Sequence, residues 1–336
     1  MNKSNVWVKL YVQNPTVTSK YLKAIGGAYG SLGFSVNYFT DDKIIKPAKS
    51  DILVVATAMD VFKLHVNGFK YIVFWSQGVW PEESFLRHES RYRLSICNFV
   101  EKCALLWADR VFLVSNAMLR HYENKYGIEL ASKSCVMACT NEEIHPEAFE
   151  VEDKYSRPIF TYAGSLVKYQ CIERMLGAFA RVHAVLPEAK FLFFTEDVDE
   201  ANRRVSAMDL DGVVVVDSKP QDQIWKSLAQ AKYGFVLRED SVINRVATPT
   251  KISSYLANGV IPIYGACIES FSETGRDIMR IEYNDDSFVE DILSFERAEI
   301  AASDVFKQYS DYFENNLSLA NRADDIRAFL GKGLPK

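Results

Sequence analysis

Short apolar runs rich in β-branched and aromatic residues alternate with longer stretches of helical periodicity along most of this chain, and that alternation constrains its fold more than any other feature. Parallel strands need long crossovers, and helices on both faces of the sheet supply them. In the first half the spacing predicts strands at Val6–Val12, Phe34–Phe39, Ile52–Ala56, Tyr71–Trp75 and Val111–Val114. Between the last two, Pro81–Asp109 carries Phe85, Tyr92, Ile96, Phe99, Val100 and Leu106 near helical spacing and reads as a helix covering one face of the sheet. Thr140–Pro158 then breaks the periodicity with Asn, Glu, Asp, His and two prolines, as an interdomain linker does. The alternation restarts with strands at Ile159–Ala163, Phe191–Phe194, Val213–Val216, Phe235–Leu237 and Val260–Tyr264, and helices at Cys171–Leu186, Gln221–Ala231 and Pro249–Asn258. An amphipathic helical tail runs from Ala301 to Leu330. A chain of 336 residues accommodates two such domains, placed here at 1–150 and 151–336 with the tail in the second. The expected class is α/β: two doubly wound, Rossmann-like domains facing across a cleft, with ligands bound at the carboxyl ends of the strands.

The charge balance, 39 Lys+Arg against 44 Asp+Glu, gives a net charge of −5. Such a chain has no general attraction to nucleic acid, so any anion must be held by a local cationic site. The six cysteines form no C-x-x-C pair and read as reduced thiols of a cytoplasmic protein. Met1–Val12 mixes Lys3, Asn5 and Lys9 into its apolar residues and resembles neither a signal peptide nor a membrane span, so any membrane attachment is expected to be peripheral. Arg87, Arg91 and Arg93 are the dense basic cluster of the first half, able to touch anionic headgroups or to form a solvated helix face. The five histidines show no metal-ligand spacing, and no hydrolase triad can be argued from them.

Several segments invite a chemical reading. Gly27-x-x-Gly30-x-x-Gly33 precedes a strand instead of following one, so a helix stopped at Gly33 explains it better than a dinucleotide fingerprint. Asp197 and Asp199 could form a metal-binding D-x-D, but they also suit the first turn of a helix. After the strand Ile159–Ala163, Gly164 lets the backbone approach a ligand, and Ser165 and Lys168 place a hydroxyl and a cation beside it. The alternative is an ordinary turn with a solvated lysine. Phe235–Lys251 is a strand, then a polar loop with Arg238, Asn244, Arg245 and Thr248, then a helix opened by Pro249, Thr250 and Lys251. Its three cations could converge on a helix N-terminus, or Glu239 and Asp240 could neutralise the arginines locally. Gln77, Gly78 and Glu82 close the strand Tyr71–Trp75 and could form a polar rim to a sugar site, or a helix start.

Val114-Ser115-Asn-Ala-Met118 with Lys125-Tyr-Gly127, Tyr162-Ala-Gly164-Ser165, Pro249-Thr-Lys251 and Tyr255-Leu-Ala-Asn-Gly259-Val-Ile-Pro262 occur in an order that resembles the GT-B glycosyltransferases, and among them glycosyltransferase family 4. The resemblance implies a retaining, nucleotide-sugar-dependent enzyme. The acceptor side, with Gln77, Gly78 and Glu82, falls in the first domain. The second binds the donor through Gly164, Ser165, Lys168, Asn244, Arg245, Thr248, Thr250 and Ser254, with Arg238 and Lys251 as catalytic cations. It further implies a UDP- or GDP-sugar donor, a glycan or lipid-linked acceptor in cell-surface polysaccharide synthesis, and no metal cofactor.

The chain departs from the family at several positions. The family arginine and lysine that follow the glycine fall on Ser165 and Gln170, with Lys168 two residues early. The two family glutamates, the second of which grips the ribose, fall on Val246 and Ser254, and a histidine of the first domain falls on Gln77. Two other readings keep the fold: a nucleotide-sugar 2-epimerase, whose carboxylates and histidine are not identifiable here, and a catalytically degenerate GT-B-like binding subunit, which the missing glutamates favour.

Overall fold

A computed structural model describes residues 5–11, 17–41, 45–140, 142–220 and 222–334. They form two parallel six-stranded sheets belonging to two compact units. The first unit contains β1 (Asn5–Lys9), α1 (Val17–Ser31), β2 (Ser35–Phe39), β3 (Ile52–Val55), α2 (Ala58–Val66), β4 (Tyr71–Ser76), α3 (Trp80–His88), α4 (Arg91–Trp107), β5 (Arg110–Leu113), α5 (Asn116–Tyr126) and β6 (Ser134–Val136), with the sheet order β2-β1-β3-β4-β5-β6. The second contains β7 (Ile159–Ala163), α6 (Ile172–Val185), β8 (Lys190–Phe194), α7 (Val198–Ser206), β9 (Val214–Asp217), α8 (Ile224–Leu228), β10 (Tyr233–Val236), α9 (Val242–Val246, whose last two residues group with the first unit), α10 (Thr250–Ala257), β11 (Ile261–Gly265), α11 (Glu269–Thr274), β12 (Ile281–Tyr283), α12 (Phe288–Arg297) and α13 (Ala302–Tyr312). Its order is β12-β11-β10-β7-β8-β9, so the strand order reverses between β7 and β10, the switch point beside which open α/β sheets bind ligands.

The sheet of the second unit is held by stacked aromatic side chains. Phe160 lies 4.9 Å from Tyr233 and 5.7 Å from Phe235, and Phe191 lies 5.8 Å from Phe193, all fully buried. Each such ring removes enough apolar surface from water to contribute about 1.5–3 kcal/mol. Gly234 is required because a Cβ there would meet the Tyr255 ring at 2.6 Å, so its absence lets α10 lie flat on β10. Gly259 ends α10 at φ +65°, a conformation that favours glycine.

The segment 142–155 runs along α10. The Lys154 ammonium donates to the carbonyls of Ala148 at 2.9 Å and Asn258 at 2.5 Å, the Tyr155 hydroxyl donates to the Gly259 carbonyl, and the His145 amide donates to the Ala257 carbonyl. These bonds fix the carboxyl-terminal end of α10, whose opposite end carries the candidate site.

The structure corrects several expectations. Pro81–Asp109 is two helices, because Glu89 adopts a left-handed conformation at φ 50° and the Ser90 hydroxyl caps α4 through the Arg93 amide. The α4 face turned inward is Cys97, Val100, Glu101, Ala104 and Leu105, whereas Tyr92, Ile96, Phe99 and Leu106 point outward. β6 and β12 have only three residues each at sheet edges, too few for a periodic signal. The tail is divided: α13 packs in the second unit, and from Leu317 the chain belongs to the first, where α14 (Ala323–Gly331) buries Ile326 and Leu330 beside Tyr21, Tyr29 and Trp75. Val12 and Gln221, at the ends of two expected elements, lie outside the described residues.

Burial without a carboxylate lowers the Lys154 pKa to about 7. Its folded value lies below its unfolded one, so the cost is complete below pH 7 and fades as pH rises towards the ordinary lysine range. Denaturation of the wild type and of Lys154→Met at pH 7 and pH 9 should show the wild type gaining about 1–3 kcal/mol relative to the variant at the higher pH. An unchanged difference would mean that Lys154 is not buried as a neutral-prone amine.

Candidate functional site

A cavity of about 420 Å³ opens in the second unit at the carboxyl ends of β7, β8 and β9 and is closed on one side by α10. Its wall includes Gly164, Ser165, Thr250, Lys251, Ser254 and Glu142. Gly164 directly follows β7 and Arg238 follows β10 by two residues, so both stand where the sheet order reverses.

Gly164 has φ +151° and its amide donates to the Phe194 carbonyl at 2.9 Å. A Cβ on Gly164 would lie 2.5 Å from Lys251 Nζ and 3.2 Å from the Tyr162 hydroxyl, so the ammonium rests directly on the glycine backbone. Lys251 donates to Gln170 Oε1 at 3.2 Å and sits 5.0 Å from the Tyr162 ring centroid. The Arg238 guanidinium lies 5.2 Å from the Tyr169 ring centroid, and its Nη1 is buried with no hydrogen-bond partner. Burial first, and then repulsion from Arg238, lowers the Lys251 pKa to about 7. Burial also lowers that of Arg238. Among the described residues no carboxylate forms an ion pair with either. No side chain caps the N-terminus of α10, which begins with Thr250 and Lys251. Amides of an uncapped helix start, together with cations lacking counter-ions, are groups that can hold an anion.

The other residues named from sequence divide clearly. Ser165 and Thr250 line the cavity, and Ser254 does so while donating to Glu142 Oε1 at 2.7 Å. Lys168 begins a short 3-10 turn, is exposed and is absent from the cavity wall. Asn244 is buried and donates to the Glu239 carbonyl at 2.9 Å, which makes it a loop brace. Thr248 is half-buried beside Pro249 and does not line the cavity. The three expected cations do not act as one group: Arg245 is exposed and groups with the first unit.

Glu142 is the residue that sequence reading missed. It stands in the segment read as a linker, yet its carboxylate also accepts from Asn258 Nδ2 at 3.2 Å and lies 3.8 Å from His145 Nε2. His145 stacks on Trp225 at 4.6 Å, which fixes the segment against α8. The available signal was the largely polar five-residue run Asn141-Glu-Glu-Ile-His145, but the partners of Glu142 on α10 are more than a hundred residues away.

In the first unit, Gln77 accepts from the Thr18 hydroxyl at 3.3 Å, and the Gly78 carbonyl accepts from the Tyr122 hydroxyl at 2.9 Å. Glu82 forms an internal network: Lys125 Nζ is 2.8 Å and His121 Nε2 3.4 Å from its Oε1. Burial raises the Glu82 pKa, but hydrogen bonds from His121 and Lys125 outweigh it and leave the group lowered. Asp197 occupies the N-cap position of α7 and Asp199 its first turn. No cluster of three or more His, Cys, Asp or Glu is placed to hold a metal ion among the described residues.

No family model matches the sequence, and no curated protein matches it either. Solved structures do resemble it. Sucrose-phosphate synthase from Thermosynechococcus elongatus superposes with a TM-score of 0.66 at 13% identity over 98% of both chains. Anabaena HepE, solved with UDP and glucose, gives 0.64 at 10% identity over 98% of this chain and 100% of its own. S. aureus TarM, solved with UDP among its ligands, gives 0.61 at 9% identity over 85% of this chain and 56% of its own. The fold is that of the GT-B glycosyltransferases. Identities this low carry the GT-B architecture and leave the chemistry to the residues of this chain.

The Gly164–Lys251 contact gives a direct test of the geometry. Gly164→Ala should lower stability by about 1–3 kcal/mol, from the Cβ clash with Lys251 and from the strained φ. Adding Lys251→Ala should recover only the clash. Thermal denaturation of the two single variants and the double variant measures the coupling, and strict additivity would contradict the contact.

Proposed function

We propose that the chain is a glycosyltransferase that uses a nucleotide-sugar donor, a UDP-sugar or GDP-sugar, bound by its second unit. The observation that carries this reading is the pair Arg238 and Lys251, half-buried and without counter-ions, Lys251 resting on Gly164 at the start of α10 and Arg238 standing just beyond β10 with a buried, unpaired nitrogen. A nucleoside diphosphate supplies the missing negative charge. As the glycosidic bond breaks, charge grows on the leaving diphosphate, and cations already fixed in place stabilise it without reorganisation. Glu142 holds the place of the missing family glutamate: with Ser254 it offers carboxylate and hydroxyl oxygens to the ribose hydroxyls. UDP in two structural neighbours supports UDP as the nucleotide. This assignment gives charge neutralisation to side-chain cations and requires no divalent metal. The finer reading is transfer of a hexose, with retention of configuration, to a glycan or lipid-linked acceptor of cell-surface polysaccharide synthesis, and it rests on the resemblance of the sequence to family 4.

Lys251→Ala and Arg238→Ala should each lower turnover roughly a hundredfold or more while circular dichroism stays unchanged, with Lys168→Ala clearly milder. Near-normal turnover in both would place the phosphates elsewhere. Donors are first chosen by a thermal-shift screen of UDP, GDP, CMP, ADP and their sugars. Nucleotide binding without transfer or hydrolysis of any donor would assign the chain to the binding-subunit reading.

The low Lys251 pKa makes binding pH-dependent in a definite direction. A bound diphosphate favours the charged amine, so the complex takes up a proton above pH 7, and affinity falls as pH rises beyond that value. Calorimetric titration of UDP should show a loss approaching tenfold per pH unit above pH 7 relative to Lys251→Gln. Parallel pH profiles would remove Lys251 from the phosphate site.

A further inference from the structure

The face of α4 opposite the sheet is apolar and uncovered. Tyr92 is 79% exposed, Ile96 44%, Phe99 62% and Leu106 50%. With Cys103 they recur at intervals of four, three, four and three residues, a stripe about 80° wide on a helix of 3.6 residues per turn. The stripe continues on both neighbours: Leu86 of α3 is 62% exposed, and Phe62 of α2 packs 6.4 Å from Phe99, with Val66 one turn further on 68% exposed. An uncovered apolar surface of this kind on a water-soluble unit marks an interaction site.

Its charge identifies the partner. Between Phe85 and Trp107 the exposed ionic side chains are Arg87, Arg91, Arg93 and the single carboxylate Glu89, with His88 beside them. The other acid of α4, Glu101, is buried and engaged by Lys125 at 3.2 Å and Tyr126 at 2.7 Å. Net positive charge here runs against the net −5 of the chain. A second copy of this face would set three arginines against Glu89 and Glu83, the latter already 3.9 Å from Arg87, whereas anionic headgroups match the arginines and the acyl boundary matches the stripe. No helix among the described residues is long and apolar enough to cross a membrane. The seventeen residues of α4 can, however, lie in the interfacial plane with aromatic rings at headgroup level.

We propose that the apolar stripe of α4, with Arg87, Arg91 and Arg93 at its amino-terminal end, docks the protein on the anionic surface of a membrane. Burial of the stripe supplies the apolar part of the attraction and the arginines the electrostatic part. Surface charges of this kind act within about 10 Å at ordinary salt, so binding is salt-sensitive.

The test is flotation of the full chain with vesicles of phosphatidylcholine alone and of phosphatidylcholine mixed with phosphatidylglycerol. The wild type should bind the mixed vesicles, release them as salt rises and ignore the neutral ones. Arg87→Gln, Arg91→Gln and Arg93→Gln combined should weaken binding roughly a hundredfold. Tyr92→Ser, Ile96→Ser and Phe99→Ser combined should weaken it at least about tenfold, with circular dichroism confirming the fold. Absence of wild-type binding, equal binding to both vesicle types, or binding unchanged in both variants overturns the proposal. So does a monomer–dimer equilibrium in sedimentation that the apolar variant abolishes, since that assigns the stripe to a second copy.

Discussion

Two half-buried cations without an acid are the costly feature around which the second unit is arranged. Other buried lysines of the chain have partners. Lys9 has Asp60 at 2.6 Å, Lys125 has Glu82 and Glu101, Lys232 has Glu296 at 2.8 Å, and Lys154 has two backbone carbonyls. Lys251 has one amide oxygen, and Arg238 keeps a buried nitrogen unpaired. An uncompensated buried charge costs several kcal/mol unless it loses its proton or gains an anion. Such a cost persists where binding offsets it.

That pair stays in place because the elements carrying it are over-determined. Tyr255, one helical turn from Lys251, lies on Gly234 and donates to the Phe235 carbonyl at 3.2 Å, which ties α10 to β10. The far end of α10 is held by Lys154, Tyr155, His145 and Glu142. The segment 142–155 therefore serves as a brace that also delivers a carboxylate to the cavity wall. The first unit shows the opposite economy: the Glu82 network is internally paired, and its uncovered feature is apolar.

The fold was legible wherever periodicity and breakers agreed. Ile159–Ala163 matches β7 residue for residue, and Gly33 at φ 91° stops α1 as the glycine spacing implied. Gly164, Arg238 and Lys251 were legible because each sits at a strand end or a helix start, where regular structure dictates position. Three things were not. The apolar spacing of Tyr92, Ile96, Phe99 and Leu106 signals an amphipathic helix but not which face meets the sheet, and Cys97, Val100, Ala104 and Leu105 form a second apolar face that takes that role. Strands of three residues leave no periodic trace. Glu142 joins the site through contacts 112 and 116 residues away in sequence, beyond the reach of local pattern.

The central claim is that Gly164, Lys251, Arg238 and Glu142 together hold a nucleoside diphosphate. A crystal structure with UDP, or with whichever diphosphate the screen selects, tests it most directly. The account predicts the phosphates within hydrogen-bonding distance of Lys251 Nζ, Arg238 and the first amides of α10, and the ribose hydroxyls on Glu142. A nucleotide bound in the first unit, or one in the second whose phosphates avoid both cations, would contradict it.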